Sequence, residues 1–242
     1  MDAVRVIGAG RAGTSLARAL SAAGWRVDGV LGRSDDLTHA ATGVDLLVIA
    51  TPDAAIAAVA ASVEPVPATL VAHLAGSLGP DVLVPHPRRA AIHPLVSLAD
   101  VETGPAKLHG AWFAVAGDPA AAEVVEALRG RWRVVADDER AAYHAAACMA
   151  SNHLVALLGQ VERVAATAGV PLEAYLDLVR GTVDNVAALG PARALTGPVA
   201  RGDWVTVDRQ LAALDDRERA AYVAMVDAAR RLVQDEEARA CR

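Results

Sequence analysis

The chain has 242 residues, of which 54% are hydrophobic and only 3% aromatic, and its formal charge is −6. That length admits one large domain or two modest ones, with a core that must be built from Ala, Val and Leu. The acidic balance and the absence of any long basic run argue against a nucleic-acid surface, and no apolar run reaches the roughly 18 residues of a membrane span. The two cysteines, Cys148 and Cys241, form no disulfide or metal pattern. No basic, apolar leader precedes the first strand, so a cytoplasmic setting is expected.

AVRVIG (Ala3–Gly8) is a short apolar run ending in glycine, the pattern of a buried strand. RAGTSLARALSAAG follows as a helix closed by Gly24. WRVDGVLGR reads as a second strand, and VDLLVIATPD (Val44–Asp53) as a third, continuous enough to be covered on both faces. AAIAAVAASV is a helix. TLVAHLAG, AAIHPL, AWFAVAG and RWRVVAD are further strands, and the helix DPAAAEVVEALRG joins the last two. Strand signals stop at Asp137. One long helix is predicted from Asp138 to about Ala168, some 45 Å at about 1.5 Å per residue. Pro171, Gly190–Pro191 and Gly197–Pro198 separate further helices over Leu172–Leu189, Val205–Leu214 and Asp216 to about Arg239. The expected fold is α/β: a Rossmann-like, doubly wound, mostly parallel sheet over 1–137, then an all-α domain over 138–242.

Gly8-Ala9-Gly10-Arg11-Ala12-Gly13 matches G-x-G-x-x-G where the chemistry requires it, directly after a strand and opening a helix. Gly8 permits the tight turn, Gly10 a close approach to a pyrophosphate, and Gly13 close helix–strand packing. The helix N-terminus at Arg11 and Ala12 attracts the anion. Twenty residues beyond Gly13, where an acid normally meets the ribose, stand Arg33 and Ser34. A guanidinium there suits a 2′-phosphate, which favours NADP(H), while Asp35 and Asp36 keep NAD as an alternative. Thr51 and Pro52, at the carboxyl end of the third strand, should line the cofactor. Asp53 is expected to cap the next helix.

Together the fingerprint, ATPD, HLAGS, IHPL, YHAAACMASN and LTGPVARGD resemble, in order and over nearly the whole chain, a family of NADP oxidoreductases. Its members join a Rossmann-like domain to a C-terminal helical domain of unknown function. The wider clan it is similar to includes ketopantoate reductase, pyrroline-5-carboxylate reductase, prephenate dehydrogenase and the 6-phosphogluconate dehydrogenase group. The resemblance implies a homodimer formed through the helical domain, and a small carboxylate-bearing substrate between the domains. It makes 2-dehydropantoate the best single substrate. It places the HLAGS loop by the nicotinamide, with Ala75 and Gly76 toward the cofactor and Ser77 toward the substrate. Many members of the clan carry a lysine as proton donor on the first long helix of the second domain. Here the only lysine is Lys107, ahead of a strand.

That helix instead offers His144. At 100° per residue from Arg140, His144, Cys148, Ser151 and Asn152 share one face, and His153 falls away from them. Buried without partners, such groups would cost about 1–3 kcal/mol each, so a ligand-lined cleft is the expected setting. Histidine can give a proton near neutral pH, and an amide can polarise a carbonyl without changing charge. His144 is the candidate acid and Asn152 the polariser, with Ser151 on the substrate side. His93, before Pro94, competes for the acid role and resembles the catalytic loop of prephenate dehydrogenases. His73 reads as buried structure, and Cys148 as a small core residue. Asn185 stands on a later helix. In LTGPVARGD, Thr196 and Arg201 are candidates for the substrate, Arg201 for its carboxylate. Asp203 would orient Arg201 or cap the following helix. The histidines are too dispersed for a metal site. Besides a 2-oxo acid reductase, an imine reductase of the pyrroline-carboxylate type and a non-catalytic NADP(H) sensor remain open.

Overall fold

The structure is a computed structural model and describes residues 1–240; Cys241 lies outside the described residues. Contacts divide the chain into two compact units, Met1–Ser151 and Asn152–Arg242.

The first unit is built on seven strands: β1 (Ala3–Ile7), β2 (Arg26–Leu31), β3 (Leu46–Ile49), β4 (Leu70–His73), β5 (Arg89–Pro94), β6 (Trp112–Gly117) and β7 (Arg131–Val134). Each lies where an apolar run predicts it. They form one sheet in the order β2-β1-β3-β4-β5-β6-β7. Strands β1 to β5 are mutually parallel, β6 runs antiparallel to β5, and β7 runs parallel to β6. Four helices accompany the sheet: α1 (Arg11–Ala22), α2 (Ile56–Ser62), the short α3 (Gly104–Leu108), which the sequence pattern did not announce, and α4 (Ala121–Ala127).

Alternate residues along β1, β3 and β4 feed two cores. Val4, Val6, Leu46 and Val48 pack with Leu16 and Leu20 of α1, Leu108 of α3 and Val124 of α4. Ile7, Leu47, Ile49 and Val71 pack with Ile56 and Ala60 of α2. Covered on both faces, β3 and β4 are buried at every position, which is why β3 is an unbroken apolar run and β4 is apolar up to His73. With few aromatics available, closeness replaces bulk. A Cβ at Gly13 would sit 2.1 Å from the Gly8 carbonyl oxygen, so α1 can approach β1 this tightly only through glycine.

The strand signal ends at 137, but the first unit continues to Ser151 because the next helix packs back on the sheet. This helix begins as α5 (Arg140–Cys148). The Arg140 side chain is buried and donates to the Val135 carbonyl at 3.2 Å and to Asp137 at 3.4 Å. The long helix predicted here is continuous but not uniform. A π-helical turn over Met149–His153 separates α5 from α6 (Leu154–Thr167).

The second unit continues with α7 (Glu173–Leu189), α8 (Pro191–Ala194), α9 (Trp204–Ala213) and α10 (Asp216–Ala240). Glu218 of α10 is buried and accepts from Arg163 of α6 at 2.6 and 3.1 Å, tying those helices together. Among the described residues, no helix is long and apolar enough to cross a membrane.

A Gly13→Ala substitution should cost about 2–4 kcal/mol, since backbone rather than a flexible side chain must give way. Thermal melts would register a drop of several degrees; an unchanged midpoint would disprove the tight contact.

Candidate functional site at the carboxyl edge of the sheet

Because β1 to β5 are parallel, their carboxyl ends share one edge. The chain leaves β1 to form β2 on one side and returns to form β3 on the other. That reversal opens a crevice at the β1 and β3 ends, where ligands of open α/β sheets bind. The segments singled out in the sequence line this edge in spatial order: Gly8–Gly13 after β1, Thr51 after β3, Ala75–Ser77 after β4, and His93 at the end of β5. Three strand spacings of about 4.8 Å separate the first from the last, on the order of 14 Å.

The glycine turn is shaped by close backbone contacts and an uncapped helix start. Gly8 has φ +114°, and a Cβ there would lie 2.6 Å from the Ala50 carbonyl oxygen. Gly10 precedes α1 in extended conformation, with no side chain capping the helix and nothing within 4 Å of a would-be Cβ. The first turn of α1 therefore leaves the backbone N–H groups of Arg11 and Ala12 without a side-chain cap, an arrangement that suits an anion. The Arg11 side chain is turned away, donating to the Ala99 carbonyl at 3.3 Å. Thr51 Oγ1 is buried with no hydrogen-bond partner, a donor and acceptor that suits a ligand in the crevice. Arg33, Ser34 and Pro52 are exposed. The acids near Arg33 are committed to their own loop: Asp35 accepts from Gly32 N–H at 2.6 Å, and Asp36 accepts from both the Thr38 backbone and its hydroxyl.

Asp53 does not cap the following helix as expected. The turn it opens and α2 both lack a side-chain cap, and its carboxylate instead accepts from the Ser77 hydroxyl at 2.8 Å. The reason is proximity across the sheet edge: the β3 and β4 loops are neighbours, and the serine supplies a nearer donor.

The loop after β4 is held at both ends. His73 is fully buried; its Nε2–H donates to the Gly79 carbonyl at 3.0 Å, and its Nδ1 accepts from Ala75 N–H at 3.2 Å. Burial keeps this ring neutral by lowering its pKa. Gly79 lies against the Asp137 carboxylate, 2.5 Å from where a Cβ would stand. Between these clamps, Gly76 is buried beneath two imidazoles. A Cβ there would meet His144 Cδ2 at 2.6 Å and His93 Cε1 and Nε2 at 2.9 Å. The two rings meet edge to face, with centroids 6.0 Å apart.

The other face of His93 belongs to Tyr143, whose hydroxyl lies 2.5 Å from Nδ1. Burial, then the nearby His144, pushes His93 down to about 4, although Asp53 opposes the shift. Burial pushes the Tyr143 phenol up to about 12. Sequence reasoning gave Tyr143 no chemical role. Its contact with β5 links residues fifty positions apart, which no local spacing encodes.

The remaining candidates lie beyond α5 in the chain. The π turn changes the angular step that the helical wheel assumed, so the phase of Ser151 and Asn152 relative to His144 is not that of an unbroken α-helix. Ser151 is half-buried; Asn152 and His153 are exposed. Cys148 is a half-buried free thiol. Asn185 of α7 is exposed, as are Thr196 and Arg201. Asp203 caps α9, accepting from Thr206 N–H at 3.1 Å, rather than orienting Arg201. Arg201 lines a concavity of about 370 Å³ with Trp204 and Arg230.

With this geometry in place, known proteins can be compared. Residues 111–229 match the family model described as a domain of unknown function, DUF2520. No curated protein matches the chain. Among the solved structures that share its fold are the following three. A protein from Thermotoga maritima is 22% identical, with a TM-score of 0.75 over 97% of this chain and 99% of that one. A candidate NADP oxidoreductase from Bacteroides fragilis is 19% identical, with a TM-score of 0.75 over 95% and 98%. The pyrroline carboxylate reductase of Plasmodium falciparum, solved with NADP bound, is 12% identical, with a TM-score of 0.64 over 96% and 98%.

The low His93 pKa links the site to acid stability. Between pH 6.5 and about 4 the unfolded chain takes up a proton at this position and the folded chain does not, so stability falls as pH falls through that window. The contribution is at most about 3 kcal/mol. In denaturant titrations, His93→Gln should show a shallower loss of stability over this range than wild type. Parallel slopes would mean that the ring ionises freely in the fold.

Proposed function

We propose that the protein is an NADPH-dependent oxidoreductase that reduces a small 2-oxo acid, with 2-dehydropantoate the first substrate to try. One observation carries the reading: two histidines close over Gly76 on the same sheet edge that bears an open glycine turn. The structure from Plasmodium falciparum with NADP bound supports the cofactor. The backbone at Gly10, Arg11 and Ala12 would take the pyrophosphate, with Gly8 and Gly13 shaping the turn. Arg33 and Ser34 would meet a 2′-phosphate, and Thr51, Pro52, Ala75 and Gly76 would line the rest. The commitment of Asp35 and Asp36 to their own loop supports NADP(H) over NAD.

When bound, NADPH supplies a hydride to an electrophilic carbon. The chain's own residues must hold the substrate oxygen and deliver a proton to it. His144 is the proposed acid, and His93 and Asn152 the groups that polarise the carbonyl. Ser77, Ser151, Asn185 and Thr196 are proposed to contact the substrate, and Arg201 to take its carboxylate. Leu178, Val183, Val186 and Leu189 of α7 stand 66%, 54%, 39% and 45% exposed, which supports a homodimer formed through the helical unit. The composition fits a cytoplasmic enzyme.

A second reading is a cyclic imine as substrate. A protonated imine already carries its proton, so its reduction needs no acid from the chain. The likeness to a pyrroline carboxylate reductase points the same way.

NADPH absorbance followed with a panel of 2-oxo acids and cyclic imines tests both. Turnover of a 2-oxo acid that collapses in His144→Ala, with NADPH affinity kept, is the expected result. Calorimetry that detects no NADPH uptake would refute the proposal. Arg33→Ala should weaken NADPH binding by about tenfold to a hundredfold, the worth of a charge-assisted pair, and leave NADH binding unchanged. Equal effects on both coenzymes would remove Arg33 from the 2′-phosphate.

A further inference from the structure

Tyr143 and His93 form a pair whose two ends face different surroundings. Nδ1 of the ring lies 2.5 Å from the Tyr143 hydroxyl. The Nε2 end faces the Ala75–Ser77 loop, 2.9 Å from where a Cβ of residue 76 would be. Among the described residues, the hydroxyl makes no other hydrogen bond. A phenol O–H is a better donor than an imidazole N–H, and an imidazole lone pair is a better acceptor than a phenol oxygen. The favoured arrangement is therefore O–H to Nδ1.

We infer that Tyr143 is a positioning residue: its hydroxyl donates to His93 Nδ1 and fixes the neutral tautomer, so that Nε2–H points into the site as a donor to the substrate's reducible oxygen. This role rests on the reductase reading; the tautomer itself does not. A neutral donor of this kind stabilises negative charge as it develops and needs no prior protonation. It also separates the two histidines by task, leaving proton delivery to His144.

The surroundings of the ring agree. His144 and Tyr143 face it from α5, with His73, Arg140 and Asp53 nearby. His144, Arg140 and His73 oppose a second positive charge, and only Asp53 favours one. A His93 that had to carry a proton would work against its burial first and then against the neighbouring cationic groups; a His93 that stays neutral does not.

Nitrogen-15 NMR of histidine-labelled wild-type protein, with His93 assigned by comparison with His93→Gln, reads the tautomer without any substrate. The Nε2–H form should dominate at pH 7. In Tyr143→Phe the two tautomers should mix, and the ring should titrate at higher pH because the neutral form has lost a hydrogen bond. A dominant Nδ1–H form in wild type, or a tautomer unmoved in Tyr143→Phe, overturns the inference, and the wild-type spectrum decides even if the variant does not fold. With an active substrate, Tyr143→Phe should lower kcat on the order of tenfold and leave the KM for NADPH unchanged. Equal kcat values would sink the positioning role. If the tautomer is as stated and no substrate is turned over by wild type, the reductase reading fails and the pairing stands.

Discussion

A side chain at residue 76 would occupy the space that His93 and His144 already fill, with contacts of 2.6 to 2.9 Å to the two rings. The imidazoles can therefore close over the loop only while glycine stands there, and they meet at all only because the loop is fixed. His73 fixes it from below with two hydrogen bonds to the loop backbone. Asp137, pressed against Gly79, fixes it from the side. Neither clamp need touch a ligand, yet without them the histidines would have no common surface to pack on.

Charge at this edge is rationed in the same way. A buried Arg140 and two buried or half-buried imidazoles already stand near His93, so a further positive charge on that ring is opposed by burial first and by its neighbours second. Two histidines that repel each other's protons cannot both serve as acids at once. Asymmetry follows from their surroundings: His93 has a phenol on one nitrogen, whereas His144 lies on the helix that leads into the π turn.

Some of this was legible in the sequence because it depends on neighbours in the chain. G-x-G-x-x-G after an apolar strand identifies the glycine turn, since turn, helix start and strand all lie within a few residues. The seven strands and most of the helices were legible through hydrophobic period and glycine or proline punctuation. His73 as buried structure could be picked out because it stands inside an apolar strand run. Asp53, assigned to a cap by local habit, shows the limit. A donor from the next loop outcompeted the local role, and only the folded chain brings Ser77 within reach. Tyr143 was missed for the same reason.

The sequence by itself determined which segments become strands and most of the helices and where the glycine turn enters α1, because those properties are set by side-chain period and backbone freedom over short spans. Only the tertiary structure decided the strand order, and with it that the glycine turn, Thr51, Gly76 and His93 follow one another along one edge while β6 runs antiparallel to β5. It alone placed a phenol on His93, and it alone interrupted the long helix with a π turn. Such features arise from packing between residues far apart in the chain, where the energy of a contact depends on distances that no single segment records.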